Sequence, residues 1–177
     1  MAGHIATSRR DDWCTPKHIV DAVHRAFGGP PDLDPASNTS SIVGARRALV
    51  LPPNDVRQAD LVPWVKLPPG FEYGDGLRDP WEGKVFCNPP FGRGLDQWVS
   101  RVQVRRGEVI LLIPAATDTK RWRRHVVTAS RICFLRGRVR YVGAPASAPF
   151  ATCLAYWGRD PESFHWAFED LGWVVTP

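Results

Sequence analysis

Apolar residues at Ile19, Val20, Val23 and Phe27 recur three and four positions apart, a spacing that predicts a helix with one buried face. Thr15 is a favoured N-cap ahead of it, Pro16 suits the first helical position, and Gly28-Gly29 supply the stop. Asp32 to Ser37 reads as a brief strand running into a polar turn, and Ala48–Leu51 as a second strand. Five prolines between residues 52 and 70 mark an irregular connection. Lys84–Cys87 is a short apolar strand that ends abruptly at Asn88-Pro89-Pro90-Phe91, and Leu95 to Val104 has helical character. Glu108–Ile113 is the clearest core strand: its unbroken apolar run, stopped by Pro114, suits a strand covered on both faces. A helix from about Asp118 to Ala129 follows, then strands near Arg131–Leu135, Val139–Val142 and Thr152–Trp157. Strands that alternate with helices and then follow one another closely predict an α/β domain with a mostly parallel sheet and an antiparallel edge.

The 177 residues fit a single domain spanning 1–177, with a polar start that predicts flexibility over residues 1–10. No apolar run reaches the ~20 residues that span a bilayer, and the first ten residues lack a signal-peptide core, so a soluble intracellular protein is expected. Cys14, Cys87, Cys133 and Cys153 form no Cys-x-x-Cys pair, which signals neither a zinc site nor a disulfide framework. The net charge of +5 hides an asymmetry. Between Arg93 and Arg140 stand eleven Arg and one Lys against Asp96, Glu108 and Asp118, a local net of +9, so the rest of the chain carries −4. An Arg-rich segment interleaved with Trp98, Trp122 and Phe134 suits a phosphate-bearing partner, because guanidinium forks grip phosphate and stack on bases. A solvated helix face with scattered ion pairs would give the same composition.

Candidate chemistry concentrates at Asn88–Phe91. Proline cannot donate to a central strand, so Pro89 and Pro90 turn the chain out of the sheet at its carboxyl end, where open α/β sheets bind ligands. A residue before proline is held extended, which restricts Asn88. The Asn88 amide oxygen and the Pro89 carbonyl are two acceptors suited to a planar NH2 donor, and Phe91 offers a stacking face.

Asn-Pro-Pro-aromatic resembles the signature of S-adenosylmethionine-dependent methyltransferases that act on an amino or amide nitrogen. Around it, in order, come Trp13-Cys14-Thr15-Pro16, Leu33-Asp34-Pro35-Ala36, Asp75-Gly76-Leu77, Trp81–Phe91, Leu112–Ala115, Thr117–Lys120, Gly137-Arg138 and Ser147–Phe150. Together they resemble the phage-type DNA N-6-adenine-methyltransferase family over about residues 11–158. The resemblance implies a class I methyltransferase fold: a Rossmann-like mixed sheet, mostly parallel with an antiparallel last strand, and helices on both faces. It implies S-adenosylmethionine as cofactor, held by Trp13, Thr15 and Pro16, by Asp34, Pro35 and Ala36, and by Asp75, Gly76 and Leu77. Catalysis falls to Asn88, Pro89, Pro90 and Phe91 around a flipped-out adenine. DNA would meet Arg93, Lys120, Arg121, Trp122, Arg123, Arg124 and Arg138, with no separate target-recognition domain. The setting implied is the cytoplasm of a bacterial host, with the protein phage or prophage encoded.

Several of these segments also make local sense without a ligand. Thr15-Pro16 works as a helix start, and Asp34-Pro35 and Asp75-Gly76 work as turns. No Gly-x-Gly follows Asp34, and the proline-rich stretch leaves Asp55 and Asp60 as guesses for the ribose carboxylate. Rival functions are a same-fold enzyme acting on RNA or a protein amide, and a catalytically idle DNA-binding relative.

Overall fold

The computed structural model describes residues 13–51 and 66–177. The start of the chain, most of the proline-rich connection, Asp55 and Asp60 lie outside these residues. Among the described residues, eight strands form one mixed sheet in the order β3-β2-β1-β4-β5-β7-β6-β8. They are β1 (Leu33–Asp34), β2 (Arg47–Val50), β3 (Phe71–Tyr73), β4 (Glu82–Cys87), β5 (Arg106–Pro114), β6 (Arg131–Leu135), β7 (Thr152–Trp157) and β8 (Gly172–Val175). Strands β1 to β5 run parallel, with Leu33 opposite both Arg47 and Val85. The reversed strand β7 sits inside the sheet between β5 and β6, and β8 adds a second antiparallel pairing at the edge beyond β6. The sequence placed the antiparallel character at an edge, because strand order cannot be read from chain order.

Alternation along β5 builds two cores. Ile110 and Leu112 face one layer with Phe86, Leu154 and Tyr156, under α1 (Lys17–Phe27) and α4 (Pro161–Phe168). Val109, Leu111 and Ile113 face the other with Val85, Cys87 and Trp157, under α2 (Leu95–Ser100) and α3 (Lys120–Arg124). Residues 109–113 are 0–1% exposed, which is what an unbroken apolar run between two helical layers requires. Gly107 admits this strand close to its neighbour: a Cβ there would lie 2.0 Å from the Gly83 carbonyl oxygen.

Several local expectations are corrected. The cap of α1 is Pro16, with no side-chain hydrogen bond, so Thr15 does not cap the helix; it is buried, 3% exposed. The helix expected over 118–129 stops at Arg124, and a 3-10 turn, Val126–Thr128, follows. Three β-branched residues in a row restrict side-chain freedom in a helix and favour that break. Val139–Val142 is no strand. Its only pairing among the described residues is an isolated antiparallel bridge between Cys14 and Val142, because the loop folds back on itself through Ala144 N to Tyr141 O (3.1 Å) and Ala148 N to Val139 O (2.8 Å). Strands β3 and β8 and helix α4 were not anticipated. Yet α4 carries a local signal: the Asp160 carboxylate accepts from the Ser163 amide at 3.0 Å, and Pro161 occupies the first turn.

Candidate active site

Strands β1 and β4 are neighbours, so Asp34 and Asn88 leave the sheet side by side at its carboxyl edge. Between them opens a cavity of about 320 Å³. It is lined by Trp13 to Thr15, Asp34 to Asn38, Ser41, Val43, Leu49 to Leu51, Asn88 to Phe91, Trp98, Tyr141, Pro149 and Phe150.

One half is polar. Asp34 is only 3% exposed, and among the described residues no cation pairs with it. Its oxygens accept from the Ala36 amide at 3.3 Å and the Ser41 hydroxyl at 3.5 Å. Burial pushes the Asp34 acid up to about 6, and donors in the turn that follows offset only part of that shift. Asn38 accepts from the Ser40 amide at 2.9 Å and from the Cys14 thiol at 3.4 Å, tying the turn to the segment before α1. Behind this half, burial and then the charge of Asp34 hold the Cys87 thiol protonated.

The other half is aromatic. Phe91 meets Tyr141 edge-on at 5.9 Å and 72°, and meets Phe150 at 5.5 Å and 73°. Trp13 stacks on Tyr141 at 6.2 Å and 21°. Such pairs each contribute roughly 0.5–1.5 kcal/mol beyond area burial, so Phe91 is held by two ring contacts. Asn88 stands where the halves meet, half-buried, and no side-chain hydrogen bond from the described residues engages its amide.

The structure therefore brings Trp13, Thr15, Asp34, Pro35, Ala36 and Asn88 to Phe91 into one cavity. Pro16 lies just outside it, at the start of α1. Asp75, Gly76 and Leu77 are not in the wall. The Asp75 carboxylate accepts from the Leu77 amide at 2.9 Å and pairs with Arg78 at 3.3 Å. Gly76 backs the wall: a Cβ there would lie 2.0 Å from the Pro35 carbonyl oxygen, so only glycine permits this approach. Leu77 is partly buried against the core cluster that holds Val85 and Val109.

Among the basic residues, Arg93, Lys120, Arg123, Arg124 and Arg138 are exposed. Arg121 is held by Asp96 at 2.8 Å. Trp122 is a core ring, 8% exposed and stacked on Phe134 at 6.0 Å, which removes it from the surface offered to a partner. Its place in a short helix capped by the Thr119 hydroxyl turns it inward and leaves Arg123 and Arg124 outward. Sequence reasoning assigned no role to Tyr141 or Phe150. The signal for Phe150 lay in Ser147–Phe150, whereas Tyr141 was hidden in the supposed strand. Among the described residues no group of three or more His, Cys, Asp or Glu could hold a metal ion, and no helix is long and apolar enough to cross a membrane.

These features define an α/β protein with a ligand-sized, half-polar and half-aromatic cavity at the carboxyl edge of its sheet. Residues 72–152, from β3 to the start of β7, match the family model described as DNA N-6-adenine-methyltransferase (Dam). No curated protein matches the chain. The matched segment contains Asn88–Phe91, Tyr141 and Phe150, while Trp13 and Asp34 come from outside it and meet it across the cavity.

Proposed function

We propose that the protein transfers a methyl group from S-adenosylmethionine to the exocyclic amine of an adenine in DNA. The observation that carries this is the shared cavity: a buried carboxylate that no cation among the described residues pairs with, and an Asn-Pro-Pro-Phe turn whose Asn88 amide no side chain among them engages, stand side by side at two adjacent strand ends. The fold it implies is the class I methyltransferase sheet, which the parallel β1–β5 and the reversed β7 support.

The cavity fits the cofactor's chemistry. S-adenosylmethionine carries an ammonium group, and a buried carboxylate stays charged most readily when a cation pairs with it. Asp34 would hold that end, with Thr15 and Trp13 closing the wall. When bound, the cofactor supplies an electrophilic methyl group. The chain's own residues do the remaining work. Asn88 and the Pro89 carbonyl accept from the adenine amine and orient its nitrogen, and Phe91 fixes the base plane. No protein nucleophile is required, so alignment carries the rate. The amine of a paired adenine is engaged in the duplex, so the base must leave the stack, and its unstacking is offset inside an aromatic-walled pocket. Exposed Arg93, Lys120, Arg123, Arg124 and Arg138 would meet phosphates and position the duplex without reading its sequence. Enzymes of the kind it resembles belong to phages and prophages, which makes the host bacterial cytoplasm the working compartment in this reading.

Methyl-labelled S-adenosylmethionine should transfer label to unmethylated DNA and leave N-6-methyladenine after hydrolysis. Label appearing instead in RNA or in a protein amide would replace the acceptor, and no transfer despite cofactor binding would leave a catalytically idle relative.

A further inference from the structure

We infer that Tyr141 is a positioning residue that couples the cofactor wall of the cavity to the wall that receives the base; this rests on the function proposed above. The two walls come from distant parts of the chain. Trp13 and Thr15 precede α1, Phe91 follows β4, and Tyr141 and Phe150 lie on the loop between β6 and β7. Two links join them. The first is the bridge in which Cys14 N donates to Val142 O at 3.2 Å and Val142 N donates to Cys14 O at 3.0 Å. The second is the run of rings in which Trp13 stacks on Tyr141 and Tyr141 abuts the edge of Phe91.

Tyr141 is 3% exposed, so its ring cannot move aside into solvent when either neighbour shifts. Close-packed rings transmit displacement rather than absorb it. A ligand that settles Trp13 therefore settles Tyr141, and with it the face Phe91 shows to a base. Phe150 meets Phe91 at 5.5 Å as a second ring contact that restricts it. The consequence is reciprocal: occupancy of one wall raises affinity at the other by the same factor. With one or two ring pairs in the path, that factor is roughly 2- to 10-fold.

The test is calorimetric titration of S-adenosylhomocysteine into the full chain, alone and saturated with a short oligodeoxyadenylate, whose unpaired bases need no flipping. Oligodeoxythymidylate of the same length controls for phosphate contacts. In the wild type, oligodeoxyadenylate should tighten S-adenosylhomocysteine binding roughly 2- to 10-fold more than oligodeoxythymidylate does. Tyr141→Phe, which keeps the ring, should retain the effect. Tyr141→Leu should abolish it, and so should Trp13→Leu, which removes the other end of the link at a half-buried position and keeps the test decisive if Tyr141→Leu fails to fold. A wild type that binds both ligands without coupling, or leucine variants that keep it, overturns the inference alone. A wild type that does not bind S-adenosylhomocysteine overturns the functional reading as well.

Discussion

The two halves of the cavity are built in opposite ways. The polar half is mostly local: within Asp34 to Ser41 the Ala36 amide and the Ser41 hydroxyl address the carboxylate a few residues away, and the Ser40 amide addresses Asn38. The aromatic half is non-local, since Trp13, Phe91, Tyr141 and Phe150 come from three separate stretches and meet only through the finished sheet. The first can select by charge, the second by shape. A protein that must hold a charged donor beside a flat, neutral acceptor needs both kinds of wall, and it needs one group at the seam.

Asn88 is that group, and its removal should have the largest effect. Asn88→Ala takes away the acceptor proposed to orient the amine, so turnover should fall by roughly 100-fold or more while S-adenosylhomocysteine affinity stays near wild type. Single-turnover methyl transfer and calorimetry separate the two. Equal losses in both would show that the seam belongs to the polar half after all.

Next in size is Asp34→Asn, which keeps the shape of the polar half and deletes its charge. Loss of a charge-assisted contact should weaken S-adenosylmethionine binding by roughly 10- to 100-fold. The pH dependence has a definite sign. The folded acid titrates at about 6, above its ordinary value of 3.8, so the ligand-free folded state binds more protons than the unfolded chain between those values. Its stability contribution should therefore decline as pH rises from about 4 to about 6, by on the order of 3 kcal/mol. Affinity for a cationic ligand should rise over the same interval. Melting curves and titrations across that range should show both trends in the wild type and neither in Asp34→Asn.

The smallest effect should come from the aromatic half. Phe91→Leu keeps bulk and loses the stacking face, so KM for DNA should rise roughly 5- to 50-fold with little change in cofactor affinity, and Phe91→Tyr should be nearly neutral. A large cofactor defect in Phe91→Leu would mean that the walls are not divided as described.

The same contrast explains what the sequence disclosed. Asn88 was legible because two prolines dictate where the strand ends and hold the preceding residue extended. The core strand β5 was legible because burial on both faces demands an unbroken apolar run. Tyr141 was not, because its neighbours in space are far away in the chain and its own loop imitates a strand. The last twenty residues were opaque for another reason. Trp166 and Trp173 are 67% and 72% exposed, and large apolar residues at solvent positions blur the periodicity by which α4 and β8 would be recognised. Trp122 misled in the opposite direction, an aromatic among arginines that serves the core.

One property of the sheet bears on how this protein can be dissected. The two-residue strand β1 precedes the family-matched segment in the chain, yet it lies between β2 and β4. A fragment beginning at residue 72 would lose the strand that pairs with β4 at Val85 and would leave that flank of β4 open. Such a flank recruits other chains. The recognisable portion thus lacks a strand from the middle of the sheet, and expressed by itself it should associate through that gap rather than report on catalysis.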